Sequence, residues 1–118
     1  MKDMANIKDL RTRTIVLNIE KEMHDIFKDK LRSIILYGSF ARNENVTESD
    51  MDIMILVDEK EDILKNYEDQ ITDIMVDMSL EYELVLSLYT QSVQEYEKQE
   101  KYLPFIKNIQ NEGIKIYG

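Results

Sequence analysis

The sequence predicts an α/β fold in which a small mixed β-sheet is flanked by helices. Three observations predict it: several segments carry apolar residues three or four positions apart, short apolar runs alternate with them, and only three glycines and one proline interrupt the 118 residues. Alternation of these two patterns is typical of a sheet with helices packed against it. We expect one domain over residues 1–118, which is an ordinary length for a single domain.

The first elements are a long helix and a short buried strand. Helical spacing of apolar residues predicts the helix over about residues 6–29. An apolar run at 32–37 ends at a glycine and predicts the strand. Ser39 can cap a short helix that begins at Phe40, and the polar stretch 43–49 predicts a loop. The apolar face of the long helix comprises Val16, Ile19, Met23 and Ile26.

The middle of the chain predicts a strand, a helix and a further strand. The second strand covers 51–57, and the helix after it opens with acidic residues, as the helix dipole favours. A third strand, rich in Leu and Val, covers 84–89. We expect the second and third strands to be parallel because a helix joins them. If the first two strands are antiparallel, the first ends at the edge of the sheet where the second begins. The apolar face of this helix comprises Ile63, Tyr67, Ile71, Ile74 and Met78.

The C-terminal part predicts two short helices and a final extended segment. The first helix runs from Ser92 to about Gln99. Pro104 suits the first turn of the second helix, which ends before Gly113. Residues 114–117 fit either an edge strand or a tail.

Composition excludes several classes of function. With 15 basic and 24 acidic residues the net charge is −9, which disfavours direct DNA binding because such proteins carry a basic patch. No cysteine is present, so a metal must be held by oxygen or nitrogen. No apolar run approaches the ~18 residues of a membrane span, and the N-terminal stretch lacks the apolar run that is typical of a signal peptide. We expect a cytoplasmic protein whose modest core makes a homo-oligomer plausible.

Two carboxylates at the start of the second strand are the first candidate for a functional site. Asp50 and Asp52 are two positions apart, so both point to the same face. Their charges repel unless a proton or a cation lies between them. Mg²⁺ is suited to this position because it prefers carboxylate oxygens together with substrate phosphates. The alternative is a pair of solvated charges at a strand end.

A Gly-Ser turn is the second candidate. Gly38 lets the backbone approach a ligand closely, and Ser39 at a helix start offers N–H groups to an anion. Ten residues separate Ser39 from Asp50, which is enough for a short helix and a returning loop. The turn and the carboxylates should therefore meet at one edge of the sheet.

These segments carry a family resemblance. Residues 36–42 (LYGSFAR) and 49–57 (SDMDIMILV) resemble the DNA polymerase β-like nucleotidyltransferases, and most of all the minimal nucleotidyltransferases of bacteria and archaea. The likeness covers about residues 30–90, and the stretch 103–117 also looks like the end of many stand-alone members. Many relatives have glycine at the position of Asn43. The resemblance implies the nucleotidyltransferase fold, with Gly38 and Ser39 holding a triphosphate and Asp50 and Asp52 holding metal.

The resemblance also implies a third carboxylate on the next strand. Glu83 occupies the expected place on the strand. Glu81 would point to the same face and is the second candidate. The alternative for both residues is that they belong to the acidic end of the preceding helix. Two Mg²⁺ ions would then be held by Asp50, Asp52 and Glu83. Arg42, three residues after Ser39, either approaches the phosphates or is a surface arginine.

The function that the resemblance implies is transfer of a nucleoside monophosphate to a hydroxyl. Stand-alone relatives are often encoded beside a HEPN protein as a toxin–antitoxin pair, and there the nucleotidyltransferase is the antitoxin that adenylylates a tyrosine of the toxin. We expect the same reaction here, with ATP as substrate and a HEPN protein as partner. One alternative is a catalytically weak module that binds nucleotide or neutralises its partner. Another is a small-molecule nucleotidyltransferase completed by a dimer.

Overall fold

The computed structural model describes all 118 residues and contains a five-stranded mixed sheet with helices on both faces. The long apolar runs of the sequence form its central strands. The strands are β1 (Lys2–Asp3), β2 (Leu31–Tyr37), β3 (Met51–Val57), β4 (Leu86–Ser92) and β5 (Ile114–Tyr117). The helices are α1 (Leu10–Phe27), α2 (Glu61–Leu64), α3 (Glu68–Tyr82), α4 (Val93–Glu100) and α5 (Pro104–Glu112).

The strand order is β1-β5-β2-β3-β4. Strands β2 and β3 are antiparallel, and β3 and β4 are parallel, which confirms the predicted crossover. The predicted strand 114–117 forms as β5 but lies inside the sheet rather than at its edge. The reason is β1, a two-residue strand that pairs with β5 in parallel and is too short to leave a periodic pattern in the sequence.

The helices differ from their predicted bounds for local reasons. Helix α1 begins at Leu10 because the Asp9 carboxylate caps it, accepting hydrogen bonds from the Thr12 amide at 3.2 Å and the Thr12 hydroxyl at 2.7 Å. The predicted middle helix is interrupted by a 3-10 turn at Lys65–Tyr67, so that α2 and α3 are separate. None of the helices combines the length and the hydrophobicity of a membrane span.

The two faces of the sheet are covered unequally. Helices α1 and α3 pack on one face, where Met51, Ile53 and Ile55 of β3 join the main core. On the other face, Met54 and Leu56 pack against Tyr96, Ile106 and Ile109 of α4 and α5. Asp52 belongs to this second face, because side chains alternate along a strand. Its part of the face lies beyond the buried cluster and is half-exposed, which leaves it open to a ligand.

Candidate functional site

The chain leaves β2 through a tight turn at Gly38. The φ of Gly38 is +75°, a left-handed conformation that glycine adopts without strain. Its carbonyl accepts hydrogen bonds from the amides of Ala41 and Arg42 at 3.1 and 3.2 Å. Asn43 then turns left-handed at φ 57°, and this ends the turn. The predicted short helix from Phe40 is therefore wrong, since a hydrogen-bonded turn stands in its place.

This turn leaves two backbone donors without a partner in the chain. The Ser39 carbonyl accepts a hydrogen bond from the Glu44 amide at 2.9 Å, whereas the amides of Ser39 and Phe40 donate to no group within the chain. Successive free N–H groups in a tight turn form a concave anion-binding surface. The groups available at the predicted phosphate-binding position are therefore the free amides of a turn, not the N-terminus of a helix.

The turn lies directly over one of the two predicted carboxylates. A Cβ atom added to Gly38 would be 2.7 Å from Oδ2 of Asp52. Tyr37, the residue before the glycine, is the register partner of Asp52 across the antiparallel pair. The structure therefore brings Gly38 and Asp52 to the same edge of the sheet, as the spacing in the sequence predicted.

Asp50 and Asp52 form a coupled acidic pair. Burial and then the charge of Asp50 raise the pKa of Asp52, while Asp50 itself is exposed just before β3. A cation between them would relieve both the repulsion and the desolvation. Mg²⁺ commonly binds through one or two carboxylates plus substrate phosphates rather than in a cage of protein groups. This pair fits an Mg²⁺ ion that arrives with a triphosphate.

The predicted position of Glu83 on the third strand is wrong. Helix α3 continues to Tyr82, and Glu83 caps it in a left-handed conformation with φ 55°. Pairing of β4 with β3 starts only where the Met51 amide donates to the Val85 carbonyl at 2.9 Å. The left-handed residue breaks the alternation from which the face of Glu83 was predicted.

Glu83 consequently lies on the opposite face of the sheet from Asp52. It lines a cavity of about 710 Å³ together with Asp9, Ser49 and Met51, and Met51 belongs to the α1–α3 side. Its rival Glu81 is in the last turn of α3, also off the strand. No group of three or more His, Cys, Asp or Glu side chains could hold a metal ion. The geometry therefore offers one carboxylate pair and does not support a two-metal site built with Glu83.

Ser87 occupies the place next to Asp52 on β4. The two are direct register partners in the parallel pair, so their side chains share a face. Tyr37, Asp52 and Ser87 thus form a row across three strands at the open edge. The sequence assigned this place to Glu83 instead of Ser87, because the predicted strand starts at residue 84, two residues before the observed start at Leu86.

Arg42 lies at the rim of the site. It lines a cleft of about 230 Å³ with Tyr37, Gly38 and Asp52. Its guanidinium forms ion pairs with Glu44 and Glu112, each at 3.3 Å. Hydrogen bonds with these carboxylates raise the pKa of Arg42. Contact with phosphates remains a prediction, but Arg42 is placed where an incoming anion would compete with its two carboxylate partners.

Two further elements of the site were missed by sequence reasoning. Tyr37 ends the strand that the sequence predicts to be buried, yet it is half-exposed beside Asp52. Burial, the charge of Asp52 and Tyr89 raise the pKa of its hydroxyl. Helix α5 supplies the other wall of the cleft through Phe105, Asn108 and Glu112. The sequence contained no signal for this wall, because it depends on how α5 folds back over the sheet.

A mixed sheet with a Gly-Ser turn over paired carboxylates defines a nucleotidyltransferase-type domain. The chain belongs to the family described as "Polymerase beta, Nucleotidyltransferase", whose model matches residues 18–118. Two similar proteins come from Methanocaldococcus jannaschii, and both carry descriptions as protein adenylyltransferases. MJ0141 is 31% identical over 86% of this chain and 95% of its own length. MJ0128 is 40% identical over 64% of this chain and 71% of its own.

Solved structures agree with this fold. A chain from a toxin–antitoxin complex with AMP-PNP superposes with a TM-score of 0.58 at 18% identity, covering 87% of this chain and 73% of the other. A chain from the complex of a tri-AMPylated Shewanella oneidensis HEPN toxin with an MNT antitoxin gives a TM-score of 0.53 at 17% identity. That match covers 90% of this chain and 71% of the other. At such identities the likeness concerns the fold.

Proposed function

We propose that this chain transfers AMP from ATP to a hydroxyl of a protein partner, and that it acts as a cytoplasmic antitoxin on a tyrosine of a HEPN-type toxin. The observation that carries the proposal is the position of the Gly38 turn over Oδ2 of Asp52, beside Asp50. Relatives described as protein adenylyltransferases support the reaction. The similar folds in toxin–antitoxin complexes support the partner.

The residues of the site would bind different parts of the donor nucleotide. The free amides of Ser39 and Phe40 would bind phosphate oxygens, with Arg42 adding charge from the rim. Asp50 and Asp52 would hold the Mg²⁺ of the nucleotide. When bound, Mg²⁺ supplies neutralisation of the phosphate charge that develops during transfer.

The acceptor would approach from the β4 side, past Ser87, because the Gly38 turn closes the β2 side. Its hydroxyl oxygen would attack the α-phosphorus as the bond to pyrophosphate breaks, and the hydroxyl proton would pass to solvent. Catalysis in such a site comes mainly from positioning and charge stabilisation. The net charge of −9 suits a basic partner, since complementary charge steers association.

A second candidate function is a module that binds nucleotide and neutralises its partner with little or no transfer. The observation that favours it is the displacement of Glu83 to the other face of the sheet. With two carboxylates and no third nearby, the site has fewer ligands for a cation on the acceptor side. Binding of Mg-ATP would then occur without efficient chemistry.

Incubation of the purified chain with Mg-ATP and a HEPN protein from its own host tests both candidates. Adenylyl transfer predicts that intact-mass spectrometry shows the partner gaining AMP, and that Asp50→Asn and Asp52→Asn each abolish the gain. The module predicts tight Mg-ATP binding by calorimetry and no mass gain. If Asp52→Asn leaves Mg-ATP binding unchanged, both candidates are wrong about the site.

A further inference from the structure

We propose that an aromatic cleft beside the triphosphate position binds the base of the nucleotide and prefers adenine. The cleft is formed by Tyr37, Tyr89 and Phe105 and is closed at its far end by Gln91. The inference rests on the proposed function, since it assigns the base subsite of the same nucleotide.

The cleft extends from the carboxylates along the open face of the sheet. A cavity of about 230 Å³ contains Gly38 and Asp52, and a second of about 370 Å³ contains Tyr89 and Gln91. The two adjoin, because Tyr37 and Phe105 line both. A ligand bound at Asp52 would reach the second cavity by passing over the contacting rings of Tyr37 and Phe105.

Exposed aromatic rings form the walls of this second cavity. Tyr89 is 51% exposed and Phe105 is 54% exposed, and Phe105 meets Tyr37 edge-on with ring centroids 5.8 Å apart. Met54 of β3, fully buried, lies at the base. Flat apolar walls with an accessible ring face suit stacking of a planar base.

The far end of the cleft contains a buried polar group without a partner. Gln91 is 4% exposed, and its Nε2 donates to Oε1 of Gln99 at 2.7 Å. Its Oε1 is buried and accepts no hydrogen bond. A buried acceptor left unpaired is costly, and nearly all such groups in folded proteins have a partner. The side-chain amide torsion is soft, so a small rotation would present this oxygen to a donor in the cleft.

The distance between the two ends matches a nucleotide. Gln91 lies four residues beyond Ser87, the register partner of Asp52, and four residues of strand span about 13 Å. This is comparable to the length of an extended nucleoside monophosphate from its phosphate to the outer edge of its base. The N6 amino group of adenine would then donate to Oε1 of Gln91, whereas guanine would place its O6 acceptor against this oxygen.

The side chain of an acceptor tyrosine would fit the cleft less well. Its hydroxyl must point at the α-phosphate near Asp52, so its ring could not also supply a donor to Gln91. A ligand that matches both ends of the cleft has a phosphate near Asp52 and the polar edge of a planar ring near Gln91. The observations therefore favour the donor nucleotide as the occupant.

Calorimetry on the full chain tests this with Mg-ATP, Mg-GTP and Mg-tripolyphosphate. We expect Phe105→Ala to weaken Mg-ATP binding about tenfold, as loss of one stacking contact does, and to weaken Mg-tripolyphosphate binding much less. Tyr102→Ala is the matched control, because Tyr102 is 68% exposed near α5 and does not line the cleft. Gln91→Met should reduce the preference for ATP over GTP, and circular dichroism verifies its folding.

The outcomes separate the base subsite from the triphosphate site. If Phe105→Ala and Tyr102→Ala bind Mg-ATP equally well, or if Mg-ATP binds no tighter than Mg-tripolyphosphate, the base subsite is wrong while the triphosphate site stands. If Phe105→Ala binds Mg-ATP normally but loses transfer to a protein, the cleft holds the acceptor and the proposal is overturned. If wild type binds none of the three ligands, both the subsite and the proposed function are overturned.

Discussion

Gly38 and Asp52 are so close that a single added methyl group would bring them into collision: a Cβ on Gly38 would be 2.7 Å from Oδ2 of Asp52. Gly38 also has a φ of +75°, which side chains rarely tolerate. Glycine is therefore required here for two reasons. It adopts the left-handed backbone, and it leaves room for the carboxylate of Asp52. The contact between Gly38 and Asp52 therefore packs the turn that offers amide donors against the strand that supplies the carboxylate.

The first prediction concerns Gly38→Ala. The left-handed backbone and the contact with Asp52 should together lower the free energy of unfolding by about 2 kcal/mol, measured by urea denaturation, and should abolish Mg-ATP binding. In the double variant Gly38→Ala/Asp52→Ala the collision is gone but the backbone strain remains, so part of the stability should return. Strictly additive losses in the double variant would show that the two residues are not coupled.

The second prediction concerns Asp52→Asn. Burial and Asp50 raise the pKa of Asp52, so the folded chain holds the proton more tightly than the unfolded chain, and stability falls as pH rises through the folded pKa. The variant should therefore be more stable than wild type at pH 7, by at most about 0.5 kcal/mol because solvent screens the half-exposed carboxylate, and should lose that advantage at acidic pH. Thermal unfolding from pH 3 to 8 measures this, while calorimetry should show that Mg-ATP binding is lost. Lower stability at pH 7 would contradict the prediction.

Local features of this chain were predictable and long-range ones were not. The bounds of β3 and the meeting of Gly38 with Asp52 follow from an apolar run and a fixed spacing, both of which act over a few residues. Glu83 was misplaced because its left-handed backbone, which has no sequence signal in a glutamate, shifts the start of the next strand. The inner position of β5 depends on pairing with the distant β1. Similarly, Phe105 reaches the site only because α5 packs on β2 and β3.

The third prediction concerns the cap of α1. The Thr12 hydroxyl lowers the pKa of Asp9, so this carboxylate stabilises the fold above its ordinary pKa and loses that effect as pH falls through its folded pKa. Asp9→Ala should lower the free energy of unfolding by about 1 kcal/mol at pH 7, and the difference from wild type should shrink in acid. Asp9→Asn, which can cap without titrating, is the control. A loss for Asp9→Ala that is equal at pH 3 and pH 7 would contradict the charge dependence.

The fourth prediction concerns Arg42→Gln. Its two ion pairs, with Glu44 and Glu112, are exposed, and such pairs contribute at most about 1 kcal/mol. Stability should therefore change little, whereas Mg-ATP affinity should fall about tenfold through loss of a charged hydrogen bond to phosphate. Arg32→Gln is the matched control, because Arg32 pairs with Asp58 at 2.8 Å at the other end of β2. Equal Mg-ATP affinities in the two variants would identify Arg42 as a surface residue.

The fifth prediction concerns Ser87→Asp, which places a carboxylate beside Asp52 on the same face. Without a cation the new charge should repel Asp52 and lower the melting temperature. With Mg²⁺ it should add a ligand on the acceptor side and raise the rate of AMP transfer about tenfold. Ser87→Asn has the same shape without the charge, so it should neither lower the melting temperature nor raise the rate. The contrary result is that Ser87→Asp and Ser87→Asn have the same melting temperature and the same transfer rate, with and without Mg²⁺. In that case Ser87 does not stand at the position of a third ligand.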